Sequence, residues 1–236
     1  LCRIKFCDES WQNKKKFKIF LGVKMRRLPV YLLLDTSGSM MGEPIEAVKN
    51  GVETLVSSLR QDPYALETAY LSIISFDTHA KQVVPLTEIA MFNSPPLQAT
   101  GTTQFGEALV LLADKIEQEV QKTTPETRGD WKPLIFIMTD GVPTDDWKKG
   151  FEKLKQVKTG MIIACAAGHN ADTSILKQIT EVVVELATAD SNTIKAFFQW
   201  VSASISTGSQ KVDAGQKEVS GLNDLPPPPP EVNVVL

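Results

Sequence analysis

Residues 30–39, Val30-Tyr31-Leu32-Leu33-Leu34-Asp35-Thr36-Ser37-Gly38-Ser39, run from five largely apolar side chains straight into a carboxylate and a set of small hydroxyls. An unbroken apolar run of this length suits a strand buried on both faces, because a half-exposed strand would alternate. After the Gly/Ser turn, Ile45, Val48, Val52, Leu55, Val56 and Leu59 recur at helical spacing, and Glu43-Pro44 opens that helix with proline in its first turn. Pro63 follows its end. Leu71–Phe76 is a second buried strand, and Asp77-Thr78 turns the chain into Ala80–Val84, whose alternation predicts a short antiparallel edge strand. A loop over 89–102 leads to a helix marked by Phe105, Ala108, Leu109, Leu112, Ile116 and Val120. The pattern then repeats. Strands are predicted at Leu134–Met138, Met161–Ala166 and Val182–Leu186. The helices between and after them are marked by Trp147, Phe151, Leu154 and Val157, by a cap at Asp172 or Thr173, and by Ile194, Phe197, Phe198, Val201 and Ile205. Buried strands alternating with amphipathic helices predict an α/β protein. Its sheet is doubly wound and mostly parallel, six-stranded with one antiparallel edge strand, with helices on both faces.

That unit spans residues 29–206. With 236 residues, 42% hydrophobic and 22% charged, the chain has enough core for one large domain without disulfides. Beyond Thr207 the helical periodicity fades, so residues 207–236, with Pro226–Pro230, are expected to form a flexible proline-rich tail. A docking peptide or a strand added to a partner's sheet is the alternative. Residues 1–28 form a basic extension. Residues 1–30 carry nine Lys/Arg and two Asp/Glu, net +7, against 16 and 26, net −10, in residues 31–236. Because the sequence starts at Leu1 and Met25 opens MRRLPVYLLLD, residues 1–24 are expected to be non-native or to lie upstream of the true start, with an authentic basic arm or an amphipathic membrane anchor as the alternative. The acidic body disfavours nucleic acid as a partner. No apolar stretch reaches the roughly 18 residues of a membrane span. Cys2, Cys7 and Cys165 are too few for a disulfide framework and point to a reducing, cytoplasmic setting.

Doubly wound sheets gather ligands at the carboxyl ends of their strands. Asp35-Thr36-Ser37-Gly38-Ser39 follows the first strand and Thr139-Asp140-Gly141 the fourth, while Gly101-Thr102-Thr103-Gln104-Phe105-Gly106 opens the second long helix. Alternate side chains of the D-x-S-x-S element can face one concavity, with Gly38 allowing the bend. Two carboxylates and three hydroxyls are hard oxygen donors, which suit Mg²⁺ better than a His/Cys cluster would. Asp35-Thr36-Ser37-Gly38-Ser39, together with Thr103 and Asp140, resembles the metal-ion-dependent adhesion site of the von Willebrand factor A-type fold. The resemblance covers residues 29–206 and takes in Ser75-Phe76-Asp77 and Val84-Pro85-Leu86. It implies that Ser37, Ser39 and Thr103 ligate a divalent metal through their hydroxyls, and that Asp35 and Asp140 act directly or through water. The implied ion is Mg²⁺, with Mn²⁺ as the alternative, and the remaining position accepts a carboxylate from a partner protein. Thr103, not Thr102, preserves the family spacing; the family usually has glycine where Thr102 stands. MRRLPVYLLLDTSGSM followed by MGEPIEAVKNG also resembles the bacterial tellurite-resistance-associated proteins of the TerY type. That likeness implies a cytoplasmic scaffold in a stress response, partnered by a co-encoded kinase, phosphatase or other tellurium-resistance protein.

The rival reading is an enzyme. Asp35 at a strand end also resembles the nucleophile of a magnesium-dependent phosphoryl-transfer enzyme of haloacid-dehalogenase type, but position 37 is Ser and not the acid that would protonate the leaving group. No G-x-G-x-x-G or G-K-[ST] loop follows any strand. His79, in the hairpin turn, and His169, on the loop after the fifth strand, are expected to be loop histidines. Asp145 and Asp146 are expected to serve as negative charges at a helix N-terminus.

Overall fold

Strand β1 (Leu28–Asp35) is buried along its whole length. Strand alternation divides its apolar run between two cores: Val30, Leu32 and Leu34 face one cluster, Tyr31 and Leu33 the other. The computed structural model describes residues 26–168, 171–216, 218, 219 and 221–235. In chain order β1 is followed by α1 (Glu43–Gln61), α2 (Pro63–Thr68), β2 (Ala69–Phe76), β3 (Ala80–Glu88), α3 (Phe105–Glu119) and β4 (Leu134–Thr139). Then come α4 (Trp147–Leu154), β5 (Ile162–Ala167), α5 (Thr173–Ile179), β6 (Val182–Leu186), α6 (Ser191–Asp213) and β7 (Asn233–Val235). Residues 1–25, and with them most of the predicted basic extension, lie outside the described residues.

The strands form a single sheet in the order β3-β2-β1-β4-β5-β6-β7. The five central strands are parallel; β3 on β2 and β7 on β6 are antiparallel. The chain reverses its direction of travel across the sheet at β1, so the topological switch point lies between β1 and β4. Helices α1, α2 and α6 cover one face, and α3, α4 and α5 cover the other. This is the expected α/β architecture with one more strand, and both edges are antiparallel.

Two local readings are corrected and one is extended. Pro63 does not simply follow a helix: Asp62 accepts hydrogen bonds from Tyr64 N (2.8 Å) and Ala65 N (3.2 Å), so Pro63 opens α2. The edge strand runs on through Pro85 to Glu88 with two register shifts against β2; a proline can sit there because an edge strand has one unpaired side. The largest correction concerns residues 207–236. Helix α6 continues to Asp213, and the proline-rich segment is tied down: Trp200 Nε1 donates to Pro226 O (2.8 Å), and Val219, Leu225 and Val232 are buried against the core. The segment ends in β7, so the strand expected for a partner's sheet is added to the chain's own. Serines and a glycine on the buried side of α6, Ser202, Ser204, Gly208 and Ser209, mask its helical periodicity from an apolar-pattern reading.

Candidate metal centre

The carboxylate at the end of β1 is fully buried and both of its oxygens are engaged. Asp35 Oδ1 accepts from Ser37 N (2.8 Å), which curls the chain back after the strand, and Oδ2 accepts from the Thr139 hydroxyl at the end of β4 (2.6 Å). Ser37 Oγ lies 3.0 Å from Ser39 Oγ, and Ser39 Oγ donates to Asp140 Oδ1 at 2.7 Å. One chain of oxygens thus crosses the switch point between β1 and β4. Thr103 comes from the loop before α3. Its Oγ1 and Ser39 Oγ lie 3.6 and 3.9 Å from the point where a Cβ on Gly141 would stand, so three loops surround the space that this glycine leaves. Asp35, Ser37, Thr103 and Asp140 are buried, while Ser39 is exposed at the rim. All five residues singled out from the sequence meet at one place.

Burial pushes the Asp35 carboxyl up to about 6; hydrogen bonds from Ser37 and Thr139 oppose the shift and the nearby Asp140 charge adds to it. Burial also raises Asp140, opposed by the Ser39 hydroxyl. Two desolvated carboxylates therefore share one rim with hydroxyl and backbone N–H donors as their hydrogen-bond partners. When a serine proton is turned toward a carboxylate, the hydroxyl oxygen still has lone pairs free. Oxygen donors with net negative charge fit a small hard cation.

The loops that hold these side chains are locked to one another. Thr103 N donates to Thr144 Oγ1 (3.2 Å), and Thr144 N donates to Thr103 O (2.9 Å). Asp145 accepts from Gly106 N (2.9 Å) and Glu107 N (2.8 Å), which caps α3 from the opposite loop, whereas Asp146 caps its own helix α4 through Lys149 N (3.4 Å). The expectation of helix-terminal charges holds for both aspartates, but Asp145 serves a helix 40 residues earlier in the chain. Thr139 and Thr144 were missed from the sequence. Thr139 stood in the T-D-G motif, but nothing local marked Thr144.

Gly38 also has a different role from the one expected. It does not occupy the left-handed region; its N–H donates to Gly101 O (3.1 Å), and a Cβ would lie 3.2 Å from that oxygen. Close approach, and not a special bend, favours glycine there. A second close approach joins α3 to α4, where a Cβ on Gly106 would meet Asp146 O at 2.6 Å and one on Gly150 would meet Gly106 O at 2.3 Å. Gly106→Ala is expected to destabilise the domain by about 2 kcal/mol in urea unfolding, since rigid backbone and not a mobile side chain is in the way. Metal affinity is expected to fall with it, because the same contact holds the Asp140–Asp146 loop.

His79 is exposed, with Nδ1 3.8 Å from Glu107 Oε2; His169 lies outside the described residues. No group of three or more His, Cys, Asp or Glu forms a metal cluster among the described residues, so any cation here depends on the hydroxyls. Among those residues no helix is long and apolar enough to cross a membrane.

The model for the von Willebrand factor type A domain matches residues 30–200. An uncharacterized protein of Synechocystis sp., sll0103, is 36% identical over 123 residues, which is 49% of this chain and 26% of that protein. The chain thus spans about a quarter of that relative's length. In fold it is similar to proximal thread matrix protein 1 of the mussel byssus, whose metal-ion-dependent adhesion site holds zinc (TM-score 0.57, 18% identity, 76% of this chain and 48% of that one). It is likewise similar to a von Willebrand factor type A protein of Catenulispora acidiphila (TM-score 0.58, 15% identity, 77% and 43%).

Proposed function

The chain belongs to the von Willebrand factor type A domain family, and on that premise we propose that it is a metal-dependent protein-interaction domain whose product is an assembly. Ser37, Ser39 and Thr103 hold a divalent cation through their hydroxyls, with Asp35 and Asp140 acting directly or through water. The ion is Mg²⁺, with Mn²⁺ as the alternative. The cation presents an open position that takes a carboxylate from a partner protein. The observation that carries this reading is the hydrogen-bonded set that joins Thr139 to Asp35, Asp35 to the Ser37 backbone N–H, and the Ser37 hydroxyl through Ser39 to Asp140, with Thr103 across the gap beside Gly141. Mussel proximal thread matrix protein 1, with zinc in its adhesion site, supports the same kind of ion binding on this fold.

A phosphoryl-transfer role for Asp35 fits less well. A nucleophilic carboxylate needs a free oxygen facing substrate, and here both oxygens accept hydrogen bonds while the residue is 0% exposed. On this reading the domain binds and does not catalyse. The resemblance of residues 25–51 to tellurite-resistance-associated proteins carries the finer proposal of a cytoplasmic stress-response scaffold whose partner is a co-encoded kinase, phosphatase or tellurium-resistance protein.

Thr103→Val tests the site with little change of shape. Calorimetric titration with Mg²⁺ is expected to show affinity lowered about 10- to 100-fold with the thermal midpoint little changed. Equal affinity in the two proteins would remove Thr103 from the site. Neither protein is expected to turn over p-nitrophenyl phosphate.

A further inference from the structure

At the end of the sheet opposite the candidate metal centre, where the parallel strands begin, the chain surrounds a cavity of about 550 Å³. Its walls come from Arg26 just before β1, the end of α3 and the loop after it, residues 131–133 before β4, residues 156–158 before β5, and Glu218. Small-molecule sites are concave spaces of roughly this size. Ile116, Val120 and Val157 make part of the wall apolar. Two features there are not explained by folding. Trp131, also in the wall, is 3% exposed, and its indole N–H has no hydrogen-bond partner among the described residues. A buried donor left unpaired costs stability, so nearly all such groups find an acceptor. The second feature is charge. Arg26, Lys122, Lys132 and Lys158 all line the cavity. Of the lining carboxylates, Asp130 is held by Arg27, and Glu218 is shared between Arg26 (3.9 Å) and Lys132 (3.4 Å). Exposed Lys122 and Lys158 form no ion pair among the described residues. Four cations thus face two available carboxylates, Glu117 and Glu218, on a body whose residues 31–236 carry net −10.

We propose that this cavity binds a small organic anion, a carboxylate carried on a compact apolar body. Lys122 and Lys158 supply the unneutralised charge, and the Trp131 indole supplies a donor that folding leaves unused. The site is partly preorganised. The Arg26 guanidinium stands 5.3 Å over the indole ring and is fixed by bonds to Gly129 O (2.8 Å) and Asp130 O (3.0 Å). Charge also decides between occupants. Residues 1–24, with seven basic and two acidic side chains, would bring like charge to the lysines, whereas a carboxylate complements them. The inference is independent of the metal reading, because the two sites lie at opposite ends of the strands.

Three probes separate charge from body: naphthoate, its neutral counterpart naphthalenemethanol, and acetate. Each is titrated into the full chain in chelator, so that no metal can take the carboxylate, and followed by amide and indole N–H NMR. Naphthoate is expected to shift the Trp131 indole signal, identified by its loss in Trp131→Phe, together with the amides of residues 116–123 and 156–158. The alcohol should bind about tenfold more weakly, as loss of a charge-assisted hydrogen bond predicts, and acetate should give no shift at about 10 mM. Lys122→Gln/Lys158→Gln should weaken naphthoate about tenfold and leave the alcohol unchanged. Its thermal midpoint should match the wild type, since both lysines are exposed. A naphthoate titration to about 10 mM without these shifts overturns the proposal. So does equal affinity for the alcohol, undiminished naphthoate affinity in the double variant, or shifts at Ser37 and Thr103 in place of Trp131.

Discussion

Asp35→Asn is expected to cost about 100-fold or more in Mg²⁺ affinity and, at the same time, to make the metal-free protein more stable at pH 7.5. The first effect follows from position. Asp35 forms the floor of the centre and orients both the Ser37 turn and Thr139, so the amide removes a charge and turns one of the two acceptor oxygens into a donor. The second follows from burial. The carboxyl titrates near 6 in the folded chain against an ordinary value of 3.8, so ionising it costs the fold about 3 kcal/mol. The sign is that of a raised pKa: Asp35 contributes its full stability below about pH 4 and loses it as pH rises through about 6. Half-buried Asp172 and Asp190, which cap α5 and α6 and whose hydrogen bonds hold them below the usual carboxylate range, push the other way. The useful quantity is therefore wild type minus Asp35→Asn, measured by urea unfolding in chelator from pH 4 to pH 8. The difference should swing toward the variant across that range. Mg²⁺ at 100 times its dissociation constant should bring the two proteins about level at pH 7.5, since it adds about 3 kcal/mol to the wild type alone. A pH-independent difference would mean that Asp35 is not the strained charge described here.

Removal of residues 217–236 is the second large effect. A flexible tail could be cut away without consequence, but this one covers the domain. Val219, Leu225 and Val232 are buried, Trp200 spends its indole N–H on Pro226, and β7 closes the outer side of β6. The truncated chain is expected to lose about 3 kcal/mol, an order-of-magnitude value for uncovering one or two large apolar side chains, and roughly 10 °C in its thermal midpoint. It should also self-associate, because β6 becomes an open edge with unpaired N–H and C=O groups. Sedimentation and calorimetry read these separately. Trp200→Phe, which loses the indole bond and keeps much of the packing, should cost only about 1 kcal/mol. An unchanged midpoint in the truncated chain would return residues 217–236 to the status of an appendage.

Much of this molecule was legible from residues alone. The apolar run of β1 announced a doubly buried strand because it is unbroken by polar alternation, is short, and ends in a turn. The five oxygen-bearing residues were legible because donor chemistry and strand-end position are both local properties. Tertiary structure decided the rest. Nothing near Asp145 says that it caps α3 and not α4, and nothing near Thr144 says that it pairs with Thr103. Asn233-Val234-Val235 is too short to read as a strand; it becomes one because β6 leaves an unpaired edge that α6 brings within reach. Side-chain periodicity and ligand type are set by neighbours in sequence, so the sequence carried them. A partner for an open edge, a helix end or a desolvated carboxylate is set by whatever the fold places beside it, and only the folded chain specifies that.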